Sequence, residues 1–231
     1  MGVEKKEDGV SLHTSSFILH TCPVLPVWEA IPRIDLGDWW KEEELPIEWD
    51  RFLPCGPANL EIGYGGGDFL LDMALREPAS RFIGIERFGE GHRRLVKRMR
   101  REKVFNVLPV MGDAYILLNL LFAAGSLNSI YINCPDPWPK TRHASRRLLT
   151  EELFAIAARK LAPSGRLYVA TDDAPYANQA AEAFSKTQAL ECLHPEAQWL
   201  LVSPYPTETR YERKWKMEGR EMRYFVYQRR P

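Results

Sequence analysis

Asn59-Leu60-Glu61-Ile62-Gly63-Tyr64-Gly65-Gly66-Gly67-Asp68 runs from a short apolar segment into a glycine turn and out into Asp68–Arg76, a stretch of helical character. A strand, a glycine turn and a helix in direct succession form the first βα unit of a dinucleotide-type sheet. Glycine there lets the chain reverse sharply and lets a ligand approach the backbone.

Working outward, short apolar runs alternate with longer helical segments, the signature of a parallel sheet built from βαβ units. The runs Asn59–Ile62, Arg81–Ile85, Asn106–Val110, Ser129–Asn133 and Arg166–Ala170 are expected strands, with Tyr224–Tyr227 as a last one. Asp68–Arg76, Gly91–Arg101, Asp113–Phe122, Thr150–Leu161 and Tyr176–Lys186 are expected helices. The expectation is an α/β, Rossmann-like, doubly wound and mostly parallel sheet. Beyond Gln188 the pattern weakens into a proline-containing loop at Ser203–Pro206. Residues 1–57, with Trp28, Trp39, Trp40, Trp49 and the charged cluster Lys41 to Glu44, read as an N-terminal arm packing on a core domain of residues 58–231.

A glycine-rich turn alone serves nicotinamide cofactors, flavins and S-adenosylmethionine alike, and some such turns only allow tight helix–strand packing. Glu61 separates these readings. A carboxylate just before the loop repels an anionic pyrophosphate and suits the ammonium and sulfonium of the methyl donor. Gly63, Gly65 and Gly67 would bring backbone close to it. Glu86 ends the second strand, where such folds place an acceptor for ribose hydroxyls. Asp113, followed by Ala114, comes after the third strand, placed to accept from an adenine amine or to cap the next helix. The three acids fall at the carboxyl ends of successive strands, the edge where open α/β sheets bind ligands.

The fourth strand ends in Cys134-Pro135-Asp136-Pro137-Trp138-Pro139-Lys140, where three prolines stiffen the chain and fix the directions of an acid and an aromatic. Next comes Lys140-Thr141-Arg142-His143-Ala144-Ser145-Arg146-Arg147, a basic run without an acid and suited to phosphates. A second basic run, Arg93 to Arg101, reads equally as a solvated helix face.

The chain's 231 residues, 45% hydrophobic and 27% charged, have the balance of an ordinary globular protein. Lys+Arg and Asp+Glu are equal at 31 each, so any basic surface is local. The charged start and the lack of a long apolar stretch predict no signal peptide and no membrane span. Cys22, Cys55, Cys134 and Cys192 stand far apart, without zinc-like pairing or a disulfide framework. We expect no metal and a cytoplasmic setting, and leave monomer or homodimer open.

With these residues in hand, the chain resembles the bacterial tRNA (guanine-N7-)-methyltransferase family over about Asn59 to Gln228. The resemblance is carried by Pro135–Lys140 with Arg142-His143 and Arg146-Arg147, by Ala170-Thr171-Asp172, and by Thr209-Arg210-Tyr211-Glu212. It implies a class I methyltransferase fold and transfer of a methyl from S-adenosylmethionine to N7 of guanosine 46 in the tRNA variable loop. It further implies that Glu61, Glu86, Asp113 and Asp136 line the cofactor site. Lys140, Asp172, Thr209, Arg210, Tyr211 and Glu212 would then contact the guanosine, and Arg142, His143, Arg146 and Arg147 the RNA. Cys134 stands for a common Phe, Thr141 for a common Lys, and Arg210-Tyr211 for the usual Lys-Phe.

Guanine N7 carries an in-plane lone pair and no proton, so its methylation needs alignment more than a general base. Asp136 is the expected catalytic residue, stabilising positive charge as it develops on the purine. Asp172 would accept from guanine N1–H and the exocyclic amine. Three other readings stay open: a methyltransferase for another RNA, a protein or a small molecule; a non-catalytic RNA-binding protein on this scaffold; and a nicotinamide-dependent oxidoreductase, which Glu61 disfavours.

Overall fold

A computed structural model describes Leu53 and residues 55–231; the expected arm, 1–57, lies almost wholly outside the described residues. The elements run β1 (Ala58–Ile62), α1 (Asp68–Arg76), β2 (Arg81–Glu86), α2 (Gly89–Glu102), β3 (Val107–Met111), α3 (Ala114–Leu121), β4 (Leu127–Asn133), a 3-10 turn at Thr141–Arg146, α4 (Glu151–Lys160), β5 (Leu161–Thr171), α5 (Ala174–Lys186), β6 (Leu190–Cys192), α6 (Arg210–Met217) and β7 (Arg223–Arg229). Every expected strand and helix is present.

The strands form one sheet of order β3-β2-β1-β4-β5-β7-β6. β7 pairs antiparallel with both β5 and β6, while β1 to β5 pair in parallel. The chain winds outward from β1 to β3 and then returns to place β4 beside β1. That reversal opens a crevice at the carboxyl ends of β1 and β4.

Side chains alternate across the sheet, and both faces are covered, which is why the central strands are apolar nearly throughout. On one face Leu60, Ile62, Ile83, Ile85, Ile130 and Ile132 meet Leu117 and Leu118 of α3, Phe154 of α4 and Phe184 of α5. On the other, Phe82 and Tyr131 meet Phe69 and Leu70 of α1 and Leu95 and Met99 of α2. Glu61, one residue out of phase with Leu60 and Ile62, therefore turns toward the α1–α2 face.

Helix ends follow local chemistry. Asp113 caps α3, accepting from the backbone N–H of Tyr115 and Ile116, and Thr150 caps α4 by accepting from Leu153. Acids in the first turn of α4 and bases in its last complement the helix dipole. No helix of the described residues is long and apolar enough to cross a membrane.

Candidate active site

The glycine turn closes on itself through Gly67 N–H donating to the Tyr64 carbonyl at 2.7 Å, and Gly63 N–H to that of Ile85 at 2.7 Å. Gly65 sits at φ 52° with nothing within 4 Å of where a side chain would project, so its backbone borders open space. Gly91, in the first turn of α2, is required for a different reason. A Cβ there would lie 2.2 Å from the Gly65 carbonyl oxygen, so α2 can approach the turn only without one.

Glu86 organises the same turn. One carboxylate oxygen accepts from Gly65 N–H at 2.8 Å, the other from Arg87 and Phe88 N–H at 2.7 and 2.8 Å. Asp113 spends Oδ1 on its helix cap, and its Oδ2 lies 3.7 Å from the Arg87 guanidinium. The capping reading of Asp113 is thus shown.

Glu61 is the unusual group. It is 2% exposed, and its Oε1 accepts from Asn133 Nδ2 at 3.2 Å. Asn133 is oriented in turn by Tyr205, whose hydroxyl donates to Asn133 Oδ1 at 2.7 Å. This leaves Glu61 Oε2 buried and without a hydrogen-bond partner. Burial is the main cause that pushes the carboxyl up to about 8; the Asn133 bond opposes it, and the nearby Glu86 and Asp68 charges add to it. Glu61, Gly63, Gly65, Asn133, Arg210 and Tyr211 are among the residues lining a cavity of about 400 Å³. A buried carboxyl with an unpaired oxygen at a cavity wall fits a ligand that brings its own positive charge.

The β4 loop is held under backbone strain. Cys134 and Trp138, neither of them glycine, take φ 48° and 42°, conformations that persist only where surroundings impose them. Cys134 N–H is held by the Ala170 carbonyl at 2.8 Å, and Arg147 pins the chain at Trp138. Its guanidinium donates to the Pro137 carbonyl at 3.0 Å, to that of Trp138 at 3.1 Å and to Gln179 Oε1 at 2.7 Å. Arg147 is thus turned inward as the staple of the loop, away from the outer face where RNA was expected to meet it. Arg146 instead lies over the Trp138 ring at 4.9 Å, with His143 at its edge, 5.5 Å between centroids. Lys140, Arg142 and Arg146 are exposed, as is Asp136 between its two prolines.

Asp172 follows β5, next to β4 in the sheet, so its backbone stands at the same edge as the Cys134–Lys140 loop. Burial pushes the Cys134 thiol up to about 12, and the Asp172 charge adds to the shift. The Thr209–Glu212 segment divides in two. Thr209 and Glu212 form a capping box at the start of α6, and the wholly buried Glu212 also binds the Tyr224 hydroxyl and, at 2.9 Å, Lys216. Glu212 therefore faces inward, whereas Arg210 and Tyr211 are exposed at the cavity. The residue pattern pointed to none of Asn133, Tyr205 or Arg220, which donates to Asp172. Tyr205 sits 72 residues from Asn133, in a loop without periodicity.

Comparison with known proteins agrees with this geometry. A family model described as "Putative methyltransferase" matches residues 56–224. A protein of Treponema pallidum (strain Nichols) named tRNA (guanine-N(7)-)-methyltransferase is 38% identical over 168 residues, 72% of this chain and 65% of that one. The chain thus spans just under two thirds of that relative's length. A protein of the same name from Syntrophotalea carbinolica is 32% identical over 83% of each chain. Among solved structures, the aminoglycoside resistance methyltransferase NpmB1 superposes with a TM-score of 0.53 at 20% identity, covering 83% of this chain and 95% of its own, a likeness of fold.

Proposed function

This chain belongs to the tRNA (guanine-N(7)-)-methyltransferase family, and we propose that it transfers a methyl from S-adenosylmethionine to N7 of a guanine in tRNA, at guanosine 46 of the variable loop. The buried, unpaired oxygen of Glu61 at the glycine turn is the observation that carries the cofactor half of this reading. Glu61 and the turn at Gly63, Gly65 and Gly67 would hold the amino-acid end, Glu86 the ribose, and Asp113 with Ala114 the adenine. S-adenosylmethionine supplies a methyl made electrophilic by its sulfonium.

The chain's own residues then have three tasks. Asp136 stabilises the positive charge that the purine gains at N7. Asp172 accepts from the guanine Watson–Crick edge, a donor pattern that adenine lacks, while Lys140, Arg210 and Tyr211 border the nucleotide. Arg142, His143 and Arg146 face the RNA backbone, with Trp138 available to stack against Arg146 or a base. Nucleophilic N7 carries no proton, so positioning does most of the work.

The direct test is transfer of labelled methyl to unmodified tRNA, followed by mapping of the product base. Label on N7 of a variable-loop guanine is the expected result, and binding of the cofactor with no transfer to any tRNA would end the substrate assignment. Arg146→Ala should weaken tRNA binding several-fold at low salt and reduce the slope of log affinity against log salt by roughly one phosphate contact. Filter binding at four or five salt concentrations measures this, and an unchanged slope would remove Arg146 from the RNA surface.

A further inference from the structure

α6 lies outside the sheet and buries almost none of its own side chains except Glu212. Several of its anchors lie outside the turn that follows it. Thr209 and Glu212 cap its start, Glu212 binds Tyr224 of β7, and Lys216 bridges Glu208 at 2.7 Å and Glu212 at 2.9 Å. α6 thus has anchors other than the ion pair that Arg220, just beyond the helix, makes with Asp172.

Arg220 is fixed on three sides. Its guanidinium lies 3.9 Å from the centroid of the Trp215 ring, its Nη2 lies 3.5 Å from the Glu218 carboxylate, and its Nη1 donates to Asp172 Oδ2 at 2.8 Å. A planar guanidinium seated on an aromatic face gives the carboxylate a rigid partner, which a lysine ammonium does not. A neighbouring arginine has a separate task. Arg223 donates to the Asp172 backbone carbonyl at 3.2 Å and so fixes the main chain, while Arg220 fixes the side chain. The Asp172 side chain is 15% exposed, and no hydrogen bond from a described residue reaches its Oδ1.

We propose that Arg220, clamped on Trp215, is a positioning residue that holds the Asp172 carboxylate turned so that Oδ1 meets the guanine edge, making the Trp215–Arg220 pair a determinant of base specificity. The inference rests on the reading of Asp172 as the group that recognises guanine. It assigns a role to the segment after Glu212, which the sequence pattern left without one.

The test compares wild type, Arg220→Ala, Arg220→Lys, Asp172→Ala and the double variant Arg220→Ala/Asp172→Ala on tRNA carrying guanosine or inosine at the methylated position. Inosine keeps N7 and N1–H but lacks the exocyclic amine. Wild type should prefer guanosine by about ten-fold or more in kcat/KM. Arg220→Ala should lower kcat/KM on guanosine about ten-fold, bring the two substrates close to parity, and leave Tm and cofactor affinity as in wild type. Arg220→Lys should recover part of the rate and little of the preference. In the Asp172→Ala background, Arg220→Ala should add nothing, because its effect passes through the carboxylate. If Asp172→Ala is impaired while Arg220→Ala is silent, lowers both substrates equally, or multiplies the Asp172→Ala loss, the clamp is overturned. If wild type methylates no guanine, or Asp172→Ala keeps full rate and preference, the reading beneath it falls and takes the clamp with it.

Discussion

Asp136→Ala should slow methyl transfer by about 100- to 1000-fold while the protein stays folded, the range seen when one preorganised electrostatic contact to a developing charge is removed. The fold should survive because Asp136 is exposed and no described residue depends on it for a hydrogen bond. The backbone that carries it is nevertheless held still. Pro135 and Pro137 lock the backbone on either side, and Arg147 fastens the carbonyls of Pro137 and Trp138 to Gln179 on α5. Such stiffness costs backbone strain at Cys134 and Trp138 and spares the reacting groups reorganisation. Initial rates at saturating tRNA and cofactor, with Tm measured alongside, decide the matter. A rate within a few-fold of wild type would dismiss Asp136 and shift attention to Asp172 or Lys140.

The core was legible because burial wrote itself into the residue pattern. β1, β2 and β4 are covered on both faces and read as apolar runs, and α1 to α5 each lay an apolar stripe on the sheet. α6 carries no such stripe, since the residue it buries most deeply is Glu212. Its signal was instead Thr209-x-x-Glu212, a capping box visible in the sequence but belonging to a helix with no hydrophobic period. β6 has three residues and leans on β7 alone, and the 3-10 turn at Thr141–Arg146 buries nothing. The expected β5 began at Arg166, five residues late, because Pro163, Ser164 and Gly165 read as a loop; they form an irregular stretch with Ser164 at φ 63°.

The site was legible where a residue's place follows from its strand. Glu61, Glu86 and Asp136 could be placed at the sheet's carboxyl edge by counting along β1, β2 and β4. What counting did not supply was the direction of each side chain. Arg142, Arg146 and Arg147 are chemically alike in a run, yet the third turns inward because three acceptors lie beneath it. Equally, Asn133 ends β4 as an ordinary polar residue until Tyr205 folds over it and Glu61 stands beneath. Contacts between residues 72 apart leave no trace in local pattern.

Glu61→Gln should abolish useful cofactor binding and, in the ligand-free protein, make the fold more stable at alkaline pH. Both results come from the same buried carboxyl. Its folded value of about 8 lies above the ordinary glutamate value of 4.5, so between those limits the folded protein holds a proton that the unfolded chain has released. Stability contributed by that proton is fully present below about pH 4.5 and is lost as pH rises toward 8, at about 1.4 kcal/mol per pH unit at most. Glutamine keeps the shape and can still accept from Asn133, but it carries no charge to desolvate. The variant should therefore match wild type near pH 5 and exceed it by several kcal/mol at about pH 8.5, read from denaturant midpoints at the two pH values. Cofactor binding gives the converse result. When an ammonium or sulfonium arrives beside Glu61, the carboxylate form wins, so wild type should release about one proton per cofactor bound at about pH 7, measured by calorimetry in buffers of different ionisation heat. Glu61→Gln should release none and bind at least about 100-fold more weakly. Binding by wild type without proton release would show that the cation does not meet Glu61, while the pH dependence of the ligand-free fold, which comes chiefly from burial, would stand as a separate result.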